Sequence, residues 1–172
     1  LARAVAALLR TRDADAGAVG LREALEHLRA ATEADRVVLV ENEGGPDGGL
    51  VMVRRHSAGV EAPSLPDRGR IPWASVPRWR ALLERGDALR GRKETFPEGE
   101  QWLLERLGVE ALLAAPVARQ GRWLGALALE ATSPRSDWSD EDVLALETMA
   151  GVLAGELERR RARDEVRVGD AV

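Results

Sequence analysis

No cysteine occurs among the 172 residues. That excludes disulfides, thiolate metal sites and cysteine nucleophiles, and it fits a cytoplasmic chain. Tyrosine is absent too, phenylalanine occurs once, and Lys93 is the one lysine among 25 basic residues. The arginine excess reads as a coding bias rather than a function. The formal net charge of -4 argues against a nucleic-acid partner, which calls for a basic face. Apolar runs stay well short of the about 20 residues that span a bilayer, so no membrane segment is expected. Residues 1–10 alternate apolar residues with arginine and lack a signal-peptide cleavage pattern. The chain begins at Leu1 without an initiator methionine, which predicts a segment of a longer protein.

What is present is a 45% hydrophobic composition, enough for one domain with a sizeable core. Leu21, Leu25 and Leu28, with Ala24 and Ala31, mark one face of a helix over 18–32. Arg36 to Val40 is a β-branched run and predicts a strand; GGPDGG at 44–49 predicts a hairpin turn into a second strand, Leu50 to His56. Residues 57–74, with prolines and glycines and no periodicity, predict a long loop of the kind that often covers a binding site. Pro77 and Gly86 bound a short helix. A short edge strand is expected over 87–91. Thr95 and Glu98 have capping-box spacing before a helix that Gly108 ends. Leu112 to Arg119 and Arg122 to Thr132 predict a central hairpin around Gln120-Gly121. Ser139 and Asp142 then form a capping box, with Trp138 and Val143 as its hydrophobic staple, and a long helix follows. The fold class is therefore α+β, with helices on a mainly antiparallel sheet.

No GxSxG elbow, P-loop or metal-spaced His/Asp cluster occurs, so neither a catalytic nor a metal site is expected and the chain is not read as an enzyme. Strict alternation along the second strand puts Met52, Arg54 and His56 on one face and Val51 and Val53 on the other. Arg54 and His56 are then candidate ligands for a polar or anionic molecule, against the alternative that both are solvated. Trp73, Trp79 and Trp102 fall in the segment that would roof a cavity. They offer stacking surface and one donor each, or they are core. Trp123 and Trp138 read as structural. His27, off the leucine face, reads as exposed, and a lone histidine is no case for haem.

The ordered set ATEADRVVLVENE, WRALLERGDALRG, FPEGEQWLLERLGVEALLAAPV and GRWLGALALE…WSDEDVLALETMAGVLAGELERRRA resembles a bacterial subgroup of GAF domains. The resemblance implies residues 18–165 as the domain, with 1–17 an N-terminal linker helix and turn and 166–172 a tail. It implies a GAF/PAS-like sheet of five to six strands. The N- and C-terminal helices would lie on one face and a ligand cavity on the other, roofed by loops and short helices. It further implies a sensor that binds an unidentified small molecule and relays the signal to an adjacent output domain. Such domains include the histidine kinases of two-component systems and cyclic-dinucleotide enzymes such as diguanylate cyclases. A structural dimerisation module with a collapsed cavity is the alternative. Members that attach a bilin do so through cysteine, so no covalent chromophore is expected here. The Asn-Lys pair of cyclic-nucleotide-binding members is replaced by Ala131-Thr132. Two apolar stripes on the last helix, the second formed by Ala145, Met149 and Val152, suggest a homodimer. With Leu1, Val5 and Leu8 of the first helix, that stripe would build a four-helix bundle.

Overall fold

The computed structural model describes residues 14–65, 69–135 and 137–169. Helix α1 (Ala14–Thr32) precedes strands β1 (Arg36–Gly44), β2 (Leu50–Gly59) and β3 (Arg70–Pro72). A turn of 3-10 helix (Trp73–Ser75), α2 (Pro77–Glu84), β4 (Leu89–Arg92) and α3 (Glu98–Leu107) follow. Strands β5 (Ala111–Arg119) and β6 (Arg122–Ala131) lead into the long helix α4 (Asp140–Gly169). The strands form one antiparallel sheet in the order β3-β2-β1-β6-β5-β4.

The sheet separates two cores, because successive strand residues point to opposite faces. On one face Leu21, Leu25 and Leu28 of α1 and Leu146, Met149, Leu153 and Leu157 of α4 bury against Val37, Leu39, Leu113, Leu127 and Leu129. On the other, Met52 and Leu112 meet Trp73, Trp79, Leu83, Leu103 and Leu104 from the connecting segment. The central hairpin is covered on both sides, which is why its sequence is almost continuously apolar.

Local signals set the element ends. Ser139 Oγ accepts from the Asp142 N–H at 3.1 Å, and the Ser139 N–H donates to Asp142 Oδ2 at 2.9 Å. This reciprocal box starts α4, and Trp138 is buried beside it. Replacing Ser139 by Ala should cost about 1 kcal/mol of stability, read as a lowered urea midpoint at unchanged slope. Gly108 closes α3 in the left-handed region at φ 66°, its N–H donating to the Glu105 carbonyl. The capping box expected at Thr95 is not formed: Pro97 holds the N-cap position of α3, and Thr95 Oγ1 donates back to the Arg92 carbonyl. Thr95 belongs instead to a short 3-10 turn (Lys93–Thr95) that precedes the helix.

The α4 stripes also need correction as a dimer face. Met149 is fully buried inside the protomer, and Ala145 and Val152 pack partly on the same core. The second stripe is therefore continuous with the first. Leu1, Val5 and Leu8 lie outside the described residues. Among those residues, no helix is long and apolar enough to cross a membrane.

Candidate functional site

The floor of the second core is built from small side chains. Ala114 of β5 and Ala126 and Ala128 of β6 point away from the terminal helices, toward the roof. The roof carries the large ones: Trp73, Trp79 and Leu83, with Ile71 at the side and Leu107 at the end of α3. Small residues under a fixed roof leave a void, and the cavity here measures about 70 Å³. Val38, Val40, Met52 and Leu112 complete an almost wholly apolar lining. Ala128, in the middle of a central strand, remains partly accessible because it faces this space.

Two tryptophans hold the roof in place through their indole N–H groups. Trp73 Nε1 donates to Asn42 Oδ1 of β1 at 2.8 Å, and its ring lies 4.8 Å from that of Trp123. Trp79 Nε1 donates to Glu100 Oε2 of α3 at 2.7 Å. The buried Glu100 carboxylate also accepts from Arg78 Nε at 2.7 Å. With their donors engaged, both rings present only apolar faces to the cavity.

One end of the cavity is polar. Arg36 and Glu130 stand opposite each other in the β1–β6 register, and Arg36 Nε donates to Glu130 Oε2. Both are buried, with Arg36 1% exposed. The rest of the Arg36 guanidinium donates to the Leu107 carbonyl at 2.8 Å and the Glu61 carbonyl at 3.3 Å. It thereby ties the roof's C-terminal end and the loop after β2 to the sheet. Burial pushes the Glu130 carboxyl upward from its ordinary pKa, against the downward pull of Arg36. Arg54 sits at the rim, half-buried, with Nη2 donating to the Pro63 carbonyl at 3.2 Å.

Of the five residues expected to line a site, the structure brings together Arg54, Trp73 and Trp79. His56 is not with them. The β1–β2 register shifts so that Val40 faces Arg54 while Leu39 faces His56, and Arg55 is the extra residue of a β-bulge. Directly opposed residues share a face, so His56 lies with Leu39 against the terminal helices. There burial and the charges of Arg160, Arg22 and Arg55 lower its pKa below the ordinary value of 6.5. A folded pKa below the unfolded one gives stability present above about 6.5 and lost as pH falls through the folded value. An NMR titration should place the His56 midpoint below 6.5, and His56→Gln should reduce the stability lost on mild acidification.

Trp102 also lies elsewhere. It is 42% exposed on the outer side of α3, in a groove with Leu65, Arg70 and Arg106. The sequence reading missed Arg36 and Glu130. A signal was present: each is a lone charge at the end of an apolar strand run. Their pairing, however, depends on the register of strands 94 residues apart.

Comparison with known proteins agrees with this architecture. The family model for the GAF domain matches residues 18–157. The methanogenesis regulatory histidine kinase FilI of Methanothrix harundinacea is 26% identical over 149 residues, covering 84% of this chain but 17% of that protein. A protein of Azorhizobium caulinodans is 24% identical over 125 residues, 69% of this chain and again 17% of its own length. This chain thus spans about a sixth of the curated relatives it matches. Among solved structures, a far-red-absorbing protein in its dark state with bound biliverdin IXa superposes with a TM-score of 0.74 at 10% identity, covering 92% of this chain and 97% of that one. The phycoerythrobilin-bound GAF domain of a cyanobacterial phytochrome superposes with a TM-score of 0.70 at 17% identity, covering 95% of each chain. At such identities these structures share the fold. Helices on one face of a six-stranded antiparallel sheet, a roofed cavity on the other and a family match over most of the length lead to one conclusion: this chain belongs to the GAF domain family.

Proposed function

We propose that this chain is a cytoplasmic sensory domain that binds a small molecule and performs no reaction of its own. The ligand occupies the cavity between the alanine floor and the tryptophan roof. Its binding is passed through the sheet to α1 and α4, and from there to an attached output domain such as a histidine kinase or diguanylate cyclase. The observation that carries the reading is the cavity itself: three alanines on central strands under a roof held by two buried indole hydrogen bonds. Voids larger than a water molecule are few in a native core. The kinase relative and the bilin-holding neighbours support a sensory role of this general kind. A tetrapyrrole does not fit this cavity. At about 70 Å³ it is smaller than the roughly 150 Å³ engineered cavity that takes benzene.

A second reading, a homodimerisation module with a residual void, is favoured by that same small volume. In both readings the domain works as a homodimer. Thermal melts against a panel of small metabolites separate the two. A ligand that binds only the folded state raises the melting temperature by mass action. A metabolite that does so for the native chain and not for Ala128→Phe, which fills the floor, supports the sensor. Stabilisation of both alike, or of neither, favours the structural module.

A further inference from the structure

We propose that the outer side of the roof carries a second ligand site, the groove between α3 and the Arg70–Ser75 segment, and that it takes a single-ring aromatic carboxylate. The ring lies on Trp102 and the carboxylate on Arg106. The site is outside the cavity and does not depend on the cavity being filled. Three observations lead to it.

The first is an aromatic surface left open. Trp102 is 42% exposed, whereas Trp73, Trp79 and Trp138 are buried. Its indole N–H has no hydrogen-bond partner among the described residues. Nor does a guanidinium cover its ring: among those residues Arg78 stacks on Phe96 and Arg135 on Trp138. Tryptophan offers a flat stacking area and one donor, and here both are free.

The second is charge. Arg106 follows Trp102 by one helical turn, so the two share a face of α3. Among the described residues Arg106 makes no hydrogen bond or ion pair. The other cation of the groove, Arg70, is already neutralised. Its Nη1 donates to Glu43 Oε2 at 2.6 Å and its Nη2 to the Gly44 carbonyl at 3.4 Å. No carboxylate stands in the described lining. Ser75 Oγ gives its hydrogen to the Pro72 carbonyl at 2.6 Å. The free donors are then the Arg106 fork and the Trp102 N–H, and such a fork matches a carboxylate with two parallel bonds. A cationic ligand would meet Arg106 with no carboxylate to offset it. A neutral one would leave the fork to water.

The third is size. The groove opens to solvent and measures about 190 Å³, more than the roughly 150 Å³ engineered cavity that takes benzene. Ile71, Pro72 and Leu103 supply an apolar wall beside the ring.

The test is an NMR titration of the 172-residue chain with benzoate, benzamide and cyclohexanecarboxylate, following the tryptophan indole N–H signals. The Trp102 signal is identified by its loss in Trp102→Phe. Benzoate should move that signal and leave those of Trp73 and Trp79, which are hydrogen-bonded inside the roof, in place. Benzamide should bind about fivefold more weakly, the worth of an ion pair that keeps contact with water. Cyclohexanecarboxylate should be weaker by about two- to tenfold, the part of the attraction that needs an aromatic ring. Arg106→Gln should abolish the preference for benzoate over benzamide. Arg106 is exposed, so the variant should fold, and the comparison of probes on the native chain stands without it. Ala128→Phe should bind benzoate as the native chain does. A Trp102 signal unmoved by benzoate, benzamide as tight as benzoate, or a preference that survives in Arg106→Gln overturns the site. Cyclohexanecarboxylate as tight as benzoate overturns the aromatic class. Loss of benzoate binding in Ala128→Phe also overturns the site and places the ring in the cavity. The sensor reading is decided separately, by the metabolite panel.

Discussion

Replacing Arg36 by Met should destabilise the domain by about 3–5 kcal/mol, the cost of leaving one member of a buried ion pair without its partner. The Glu130 carboxylate would then lose its buried partner beside a mostly apolar cavity, and the Leu107 and Glu61 carbonyls would lose their donor. For a chain of this size that is a melting temperature lower by on the order of 10 °C. The paired change Arg36→Met with Glu130→Leu should recover most of the loss, because it removes both charges together. The pH dependence carries a further sign. Burial raises the folded pKa of Glu130. A raised folded value means stability that is fully present below the unfolded pKa and lost as pH rises through the folded one. Relative to the double variant, the native chain should therefore weaken as pH climbs out of the acid range. Urea melts across pH check both statements. A single variant within about 1 kcal/mol of the native chain would show that the pair ties nothing together.

The second large effect is expected at Gly125, on the central strand β6. A Cβ there would lie 2.1 Å from the Val40 carbonyl oxygen and 3.0 Å from the Glu41 Cα. Both are backbone atoms of β1, the strand that Gly125 pairs with, so no side chain can swing aside. Gly125→Ala must push apart the two strands that carry the cavity floor and Arg36, and should cost about 3 kcal/mol or more. Gly151→Ala provides the control. It lies on the exposed side of α4 with nothing within 4 Å of the added methyl. There the change should stabilise by about 0.5–1 kcal/mol through helix propensity. Equal effects at the two glycines would mean that the β1–β6 spacing is softer than described.

These two positions show where a sequence can be read and where it cannot. Ser139, Asp142, Gly108 and the central hairpin were legible because each is set by neighbours within a few residues. Capping, left-handed closure and two-residue turns depend on chemistry that local sequence displays. The two-face division of the sheet was legible for the same reason, since strand alternation repeats every second residue. His56 was misplaced by that very rule. One extra residue at Arg55 reverses the alternation, and nothing in LVMVRRHSAG marks a bulge. The Thr95 spacing was equally plausible as a cap, and Pro97 took the position instead. Trp102 could not be told from Trp79 because both lie on short roof helices, and only packing decides which ring turns inward. The polar end of the cavity was least legible. Arg36 and Glu130 acquire meaning only once β1 and β6 are in register.

The central claim is that the space over Ala114, Ala126 and Ala128 receives a small molecule. Native mass spectrometry of the chain purified from cell extract, run beside Ala128→Phe, tests it most directly. The account predicts a discrete mass excess on the native chain, released on gentle activation and absent from the filled variant. An excess carried equally by both proteins would place the ligand elsewhere. No excess on either, with melting temperatures unmoved by the metabolite panel, would contradict the account.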